Sequence, residues 1–151
     1  MDTWSTSVGS RLTALTRQEC LMLLGSRTIG RVAFCLPTGP VVLPVNYAMH
    51  DGAALFRTSS NSSLAKRLGD SSAALEVDDL DEETRAGWSV LLRGYASTVE
   101  HRDLPSSAAE RPQPWVRGAR MLYIRIVATE ISGRRLDTSD DPADGIPWMR
   151  S

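Results

Sequence analysis

The sequence predicts a mainly β fold, an antiparallel barrel decorated with short helices. Three observations carry this reading. Six or so segments are rich in β-branched and aromatic residues or alternate apolar and polar with period two. Two turn signals, Pro37-Thr38-Gly39-Pro40 and Asp51-Gly52, join neighbouring segments. Helical periodicity is confined to short stretches, and no GxGxxG follows a strand, which argues against a doubly wound dinucleotide domain.

The elements follow in order. Residues 1–11 carry no period, and the arm they begin runs to about residue 15. Thr16-Arg17-Gln18-Glu19 is a capping box: the Thr16 hydroxyl can accept from the Glu19 N–H while the Glu19 carboxylate reaches back. It opens a helix over 17–25, ended by Gly25. Strands follow over 28–36, 41–49 and 53–58; in the second, Val41, Leu43, Val45, Tyr47 and Met49 share one face. Residues 61–69 read as helix, with Leu64, Ala65 and Leu68 as its buried stripe. Residues 73–77 form a fourth strand, and Asp78, Asp79, Asp81, Glu82 and Glu83 a solvated loop. A long fifth strand spans 88–100, and its Val90 and Leu92 are read as a row left for a partner to cover. Residues 105–118 hold three prolines and form an irregular excursion. The last strand spans 120–131, with Leu122, Ile124, Ile126 and Ala128 on one side. The domain ends near 136, and a tail of residues 137–151 closes on Ile146-Pro147-Trp148-Met149.

Composition narrows the function classes. The chain has 151 residues, enough for one domain with a real core. Its net charge of −1 lacks the basic footprint of a nucleic-acid binder. No apolar run is long enough to span a membrane, and Met1–Thr6 does not open a secretory leader. Cys20 and Cys35 stand outside any CxxC and read as buried free thiols of a reducing, cytoplasmic compartment. With His50 and His101 they are too scattered for a zinc site, so no metal is expected. His50 reads as an exposed residue, with no partner at a spacing that suggests catalysis. Of the 17 basic residues only Lys66 is lysine, so nearly every cation carries a planar fork suited to carboxylate or phosphate.

Three segments could carry chemistry. In Phe56-Arg57-Thr58-Ser59-Ser60-Asn61-Ser62-Ser63, a strand ends in Arg57 and Thr58 and runs into hydroxyl residues before the 61–69 helix. Helix N–H groups, hydroxyls and a guanidinium together suit a phosphate; the competing reading is an N-cap cluster beside a surface arginine. In Pro44-Val45-Asn46-Tyr47, Pro44 has no N–H, so the ladder breaks there or the strand lies at an edge. Freed backbone groups, with Asn46 and Tyr47 on opposite faces, suit a flat heteroaromatic ring. A proline that protects an edge strand explains Pro44 equally well. In the third segment, Trp88 and Ser89 open the long strand, where Trp88 caps a pocket or packs in the core. Gly94 in mid-strand signals a bulge or a close backbone approach. Arg134-Arg135 reads either as an anion site or as a surface pair.

The order of these segments resembles the pyridoxamine 5'-phosphate oxidase-like superfamily of FMN-binding split β-barrels, in particular its small actinobacterial members. The matching stretches are IGRVAF (29–34), VVLPVNY (41–47), ALFRT (54–58), ALEVDDLD (74–81), GWSVLLRGYA (87–96) and ISGRRL (131–136). The resemblance implies an antiparallel split β-barrel and a homodimer with FMN at the subunit interface. It implies that Arg57, Thr58 and the 61–66 turn, with Ser62, Ser63 and Lys66, hold the phosphate. It also implies that Pro44, Val45, Asn46 and Tyr47 run along the isoalloxazine, with Trp88 and Ser89 near it. Two departures stand out. Where the family often carries glycine then lysine, this chain has Asn61-Ser62-Ser63, with Lys66 later. The arginine-rich substrate segment of true pyridoxamine 5'-phosphate oxidases is not evident.

Three functions compete. An FMN-dependent oxidoreductase needs no protein acid/base pair, because the flavin carries the electrons and a small molecule gives or takes them. A non-catalytic flavin carrier or sensor needs only the binding site. A reductase using the deazaflavin F420 fits the same fold, since fold does not fix chemistry.

Overall fold

Thr16 caps the first helix as its sequence requires. Its hydroxyl accepts from the Glu19 N–H at 3.1 Å, and the Thr16 N–H donates to the Glu19 carboxylate at 3.0 Å. In the computed structural model, which describes residues 10–59, 71–107, 110–112 and 121–138, this helix is α1 (Arg17–Gly25). The strands are β1 (Ser10–Ala14), β2 (Ile29–Leu36), β3 (Gly39–His50), β4 (Ala53–Ser59), β5 (Ser71–Asp81), β6 (Ala86–Val99) and β7 (Met121–Thr138). The expected 61–69 helix, most of the 105–118 excursion and the tail beyond 138 lie outside the described residues.

The strands form one antiparallel sheet in the order β1-β7-β4-β3-β2-β5-β6, and β7 also pairs with β6. That extra pairing closes six strands into a barrel, as the sequence predicts. Asp51 and Gly52 take φ of 49° and 75°, the two left-handed residues that a tight two-residue hairpin between β3 and β4 needs. The barrel is split along β7. Residues 121–127 pair with β4 and residues 134–138 with β1, and between them the Leu15 N–H donates to the Gly133 carbonyl. Helix α1 packs there, burying Cys20 and Leu24 completely. Tyr47 ties it to β3 by donating its hydroxyl to the Leu24 carbonyl at 2.5 Å.

One bulge sets which way β7 faces. Arg93 pairs with Glu130 but Gly94 with Ala128, so Thr129 is an extra residue. Leu122, Ile124, Ile126 and Ala128 line the core before it, and Ile131 after it. Gly94 is the close approach expected from its place in mid-strand: a Cβ there would lie 1.8 Å from the Val127 carbonyl oxygen.

Several expectations are corrected. Part of the supposed arm is a strand, β1, because the long edge of β7 offers it a partner; its five residues are too few to show a period. Asp78, Asp79 and Asp81 are not loop but the end of β5, paired with Ser89, Trp88 and Ala86; Arg27 and Arg31 offset their charge. The loop is only the turn after Asp81, whose carboxylate accepts from the N–H groups of Glu83 and Thr84. Val90 and Leu92 are fully buried in the barrel, so the row facing outward on β6 is Leu91, Arg93 and Tyr95. Cys35 is exposed, because on β2 the inward positions belong to Val32 and Phe34.

Candidate functional site

Strand alternation decides which groups of β4 reach outward. Phe56 is buried in the core, so Arg57 faces the other way, directly opposite Tyr123 of β7. The Arg57 guanidinium lies over the Tyr123 ring, 5.5 Å from its centroid. Behind the ring is a small second core of Leu55, Val99 and Leu104, and His101 meets its edge at 6.4 Å. The Nε of Arg57 is buried and has no hydrogen-bond partner among the described residues. A buried, unpaired donor is costly, so this atom marks a place built for an acceptor. A phosphate supplies several acceptor oxygens with the spacing of the arginine fork. Thr58 turns inward opposite Leu122 and is 9% exposed. Ser62, Ser63 and Lys66 lie outside the described residues.

Among the described residues, Pro44 lies at an edge, as expected. Residues 39–46 of β3 pair with β2, and residues 47–50 pair with β4. The Tyr47 N–H donates toward β2, to the Thr28 carbonyl at 2.9 Å. By alternation the backbone groups of Val42 and Pro44 point to the opposite edge, and the missing N–H of Pro44 falls where no ladder among the described residues needs it. The side chains of Pro44 and Asn46 face outward, like Arg57, whereas Val45 and Tyr47 face the core. Burial holds the Tyr47 phenol well above its ordinary pKa, so it stays protonated as the donor to Leu24.

Trp88 and Ser89 separate in the same way. Trp88 is 7% exposed and belongs to the core; Arg27, paired with Asp79, lies over its ring at 5.8 Å. Ser89 faces outward between Asp78 of β5 and Arg134 of β7. Beside it, Arg31 bridges Glu76 at 3.3 Å and Asp78 at 3.2 Å. Burial and the neighbouring Asp78 carboxylate push Glu76 up to about 7. Arg57, Pro44, Asn46 and Ser89 therefore share the outward face, while Val45, Tyr47, Thr58 and Trp88 line the interior behind it.

Sequence reasoning missed Tyr123, Arg27 and Glu110. An outward aromatic between the core positions Leu122 and Ile124 was a usable sign for Tyr123. Nothing local marks the other two. His50 is half-buried, which corrects the expectation of an exposed histidine, and it is bonded through Nδ1 to the Glu110 carboxylate.

Comparison with known proteins agrees with this fold. The family model described as pyridoxamine 5'-phosphate oxidase matches residues 16–135. The chain belongs to the pyridoxamine 5'-phosphate oxidase family. Among curated members, the uncharacterized protein Rv0080 of Mycobacterium tuberculosis is 32% identical over 127 residues, covering 81% of this chain and 84% of that protein. Among solved structures, the FAD binding protein from Mycobacterium smegmatis is 32% identical with a TM-score of 0.73, covering 84% of this chain and all of that one. A conserved protein of unknown function from Corynebacterium diphtheriae is 28% identical with a TM-score of 0.68, covering 82% and 97%. The family match spans α1 and β2–β6 and runs into β7, so it contains Arg57, the Pro44 edge and Tyr123 together.

Proposed function

We propose that this chain binds a flavin, FMN in the first instance, and acts as a flavin-dependent oxidoreductase in a two-fold dimer. The observation that carries the reading is the Arg57 guanidinium, whose buried Nε has no partner among the described residues, on the same outward face as Pro44. Arg57 would hold the phosphate. The backbone of Val42 and Pro44 would meet the polar rim of the ring, with the Asn46 side chain beside it and Ser89 further along the same face. The flavin, when bound, supplies the two-electron chemistry. The chain's own residues bind it, orient it and exclude water. Family membership and the M. smegmatis FAD binding protein support a flavin. The latter also favours a second reading, FAD in place of FMN, since both carry a phosphate to Arg57.

The test starts from the spectrum and mass of the small molecule that co-purifies. It continues with titrations of FMN, FAD, F420 and riboflavin into wild type and Arg57→Ala. Hydrogen bonds to a charged group contribute about 1.5–3 kcal/mol each, so the variant should bind FMN about 10- to 100-fold more weakly. Riboflavin, which lacks the phosphate, should be nearly unaffected. Equal losses for both ligands would reassign Arg57 to the fold. Bleaching of the bound flavin by NAD(P)H supports an oxidoreductase. A flavin that no nicotinamide donor reduces favours a carrier, and binding of F420 alone a deazaflavin reductase.

A further inference from the structure

We infer that Tyr123 is a positioning residue for Arg57, holding the guanidinium so that its Nε edge presents a two-pronged fork to a phosphate; this rests on the phosphate reading of Arg57 above. The two residues are directly opposed on β4 and β7, so their side chains meet without any loop between them. The guanidinium carbon lies over the ring, 5.5 Å from its centroid, a cation–π contact that takes up no hydrogen-bond acceptor. All five N–H groups lie in the guanidinium plane, and the ones left to a ligand are those at its edges. The Nε–H and the Nη–H on its side form one such edge, and that Nε is the buried atom without a partner among the described residues.

The ring itself is held on several sides. Leu55, Val99 and Leu104 pack against it, and the His101 imidazole meets its edge at an interplanar angle of 66°. A platform fixed in this way lowers the number of rotamers Arg57 must give up when an anion arrives. Lysine could not use it, having neither the plane nor the fork.

The experiment compares FMN and FAD with riboflavin in wild type, Tyr123→Phe and Tyr123→Leu, with melting temperatures alongside. Removing the π face should weaken the phosphate-bearing flavins roughly 3- to 30-fold and leave riboflavin unchanged. Tyr123→Phe keeps the face and should stay within about twofold of wild type. In an Arg57→Ala background, Tyr123→Leu should have no further effect on FMN. If Tyr123→Leu does not fold, Tyr123→Met replaces it, since it fills similar space without a π face. An equal loss for FMN and riboflavin, or no loss at all, overturns the positioning role while a selective Arg57→Ala effect leaves the phosphate reading intact. If Arg57→Ala itself fails to separate FMN from riboflavin, the phosphate reading falls and this inference with it.

Discussion

The imidazole of His50 is joined through Nδ1 to the carboxylate of Glu110, tying the β3–β4 hairpin to the segment after β6 across 60 residues of chain. The groups facing His50 are Glu110, Asp51, with an oxygen 3.3 Å from Nε2, and Arg125. The hydrogen bond to Glu110 raises the His50 pKa above its ordinary value; desolvation and Arg125 oppose the shift, and Asp51 adds to it.

The sign of the pH effect follows. A histidine whose pKa is raised in the folded state contributes stability that is fully present below its unfolded value, about 6.5. That stability is lost as pH rises through the folded value. Glu110→Gln should therefore lower the melting temperature at pH 5.5 and have less effect at pH 9. Hydrogen exchange at Leu104 and Arg111 should quicken in the variant at the lower pH. An equal effect of the variant at both pH values would show that the pair does not titrate.

Glu76 carries the opposite kind of charge and a related dependence. Burial and the adjacent Asp78 raise its pKa from 4.5 to about 7, and Arg31 only partly offsets them. The folded state thus prefers the neutral acid. Its contribution is fully present below 4.5 and is lost as pH rises through about 7. Glu76→Gln stays neutral throughout. It should match wild type near pH 4 and melt roughly 2–4 °C higher near pH 8, read by thermal denaturation. A lower melting temperature at pH 8 would mean that the bridge to Arg31 outweighs the burial of the carboxylate.

Much of the barrel was legible because its strands alternate or run apolar and several are bounded by strong turn residues. The start of α1 follows from the capping box and its last residue is Gly25 as expected, although the cap is Ser26, whose N–H donates to the Leu23 carbonyl; the β3–β4 hairpin follows from Asp51-Gly52. β1 was not legible, since a five-residue edge strand is specified by the partner it meets and not by its own period. The same holds for Asp78–Asp81, where pairing with β6 overrides poor strand propensity. On the outward face, Arg57, Pro44 and Asn46 were legible from residue type and alternation. Tyr123 showed only as an outward aromatic, its pairing with Arg57 lying 66 residues away, and Glu110 not at all, because its partner is 60 residues away.

Gly94 gives a sharp packing prediction. An added methyl would meet the Val127 carbonyl oxygen at 1.8 Å, and that oxygen belongs to the backbone of the paired strand. The strand cannot yield without breaking the β6–β7 ladder beside the Thr129 bulge. Gly94→Ala should cost about 1–3 kcal/mol or more. Gly25→Ala is the control: nothing lies within 4 Å of its added methyl, and alanine suits the end of α1. Chemical denaturation of both variants should show a large loss for the first and a change within about 0.5 kcal/mol for the second.

The assembly prediction concerns the outward face. Val42, Tyr95 and Val127 are 60%, 61% and 50% exposed there, and Tyr95 stands directly opposite Val127. Beside them runs a groove of about 400 Å³ with a floor of small residues, including Ala33, Ser72, Ala74 and Gly94. Such an apolar patch is costly to leave in water. Arg31 with Glu76 and Arg93 with Glu130 put both signs of charge on the same face. A two-fold partner presents the same patch to itself, so a surface carrying both signs can be its own complement. Tyr95→Glu would set two like charges facing each other across that axis and remove an aromatic anchor. It should weaken self-association by at least about 100-fold, which corresponds to roughly 3 kcal/mol. Sedimentation at micromolar concentration should then give twice the 16.5 kDa chain mass for wild type and the single chain for the variant. If the flavin site is shared between two copies, the variant should also lose flavin affinity. A wild type that sediments as a single chain removes the dimer. A Tyr95→Glu variant that stays dimeric moves the interface to another face.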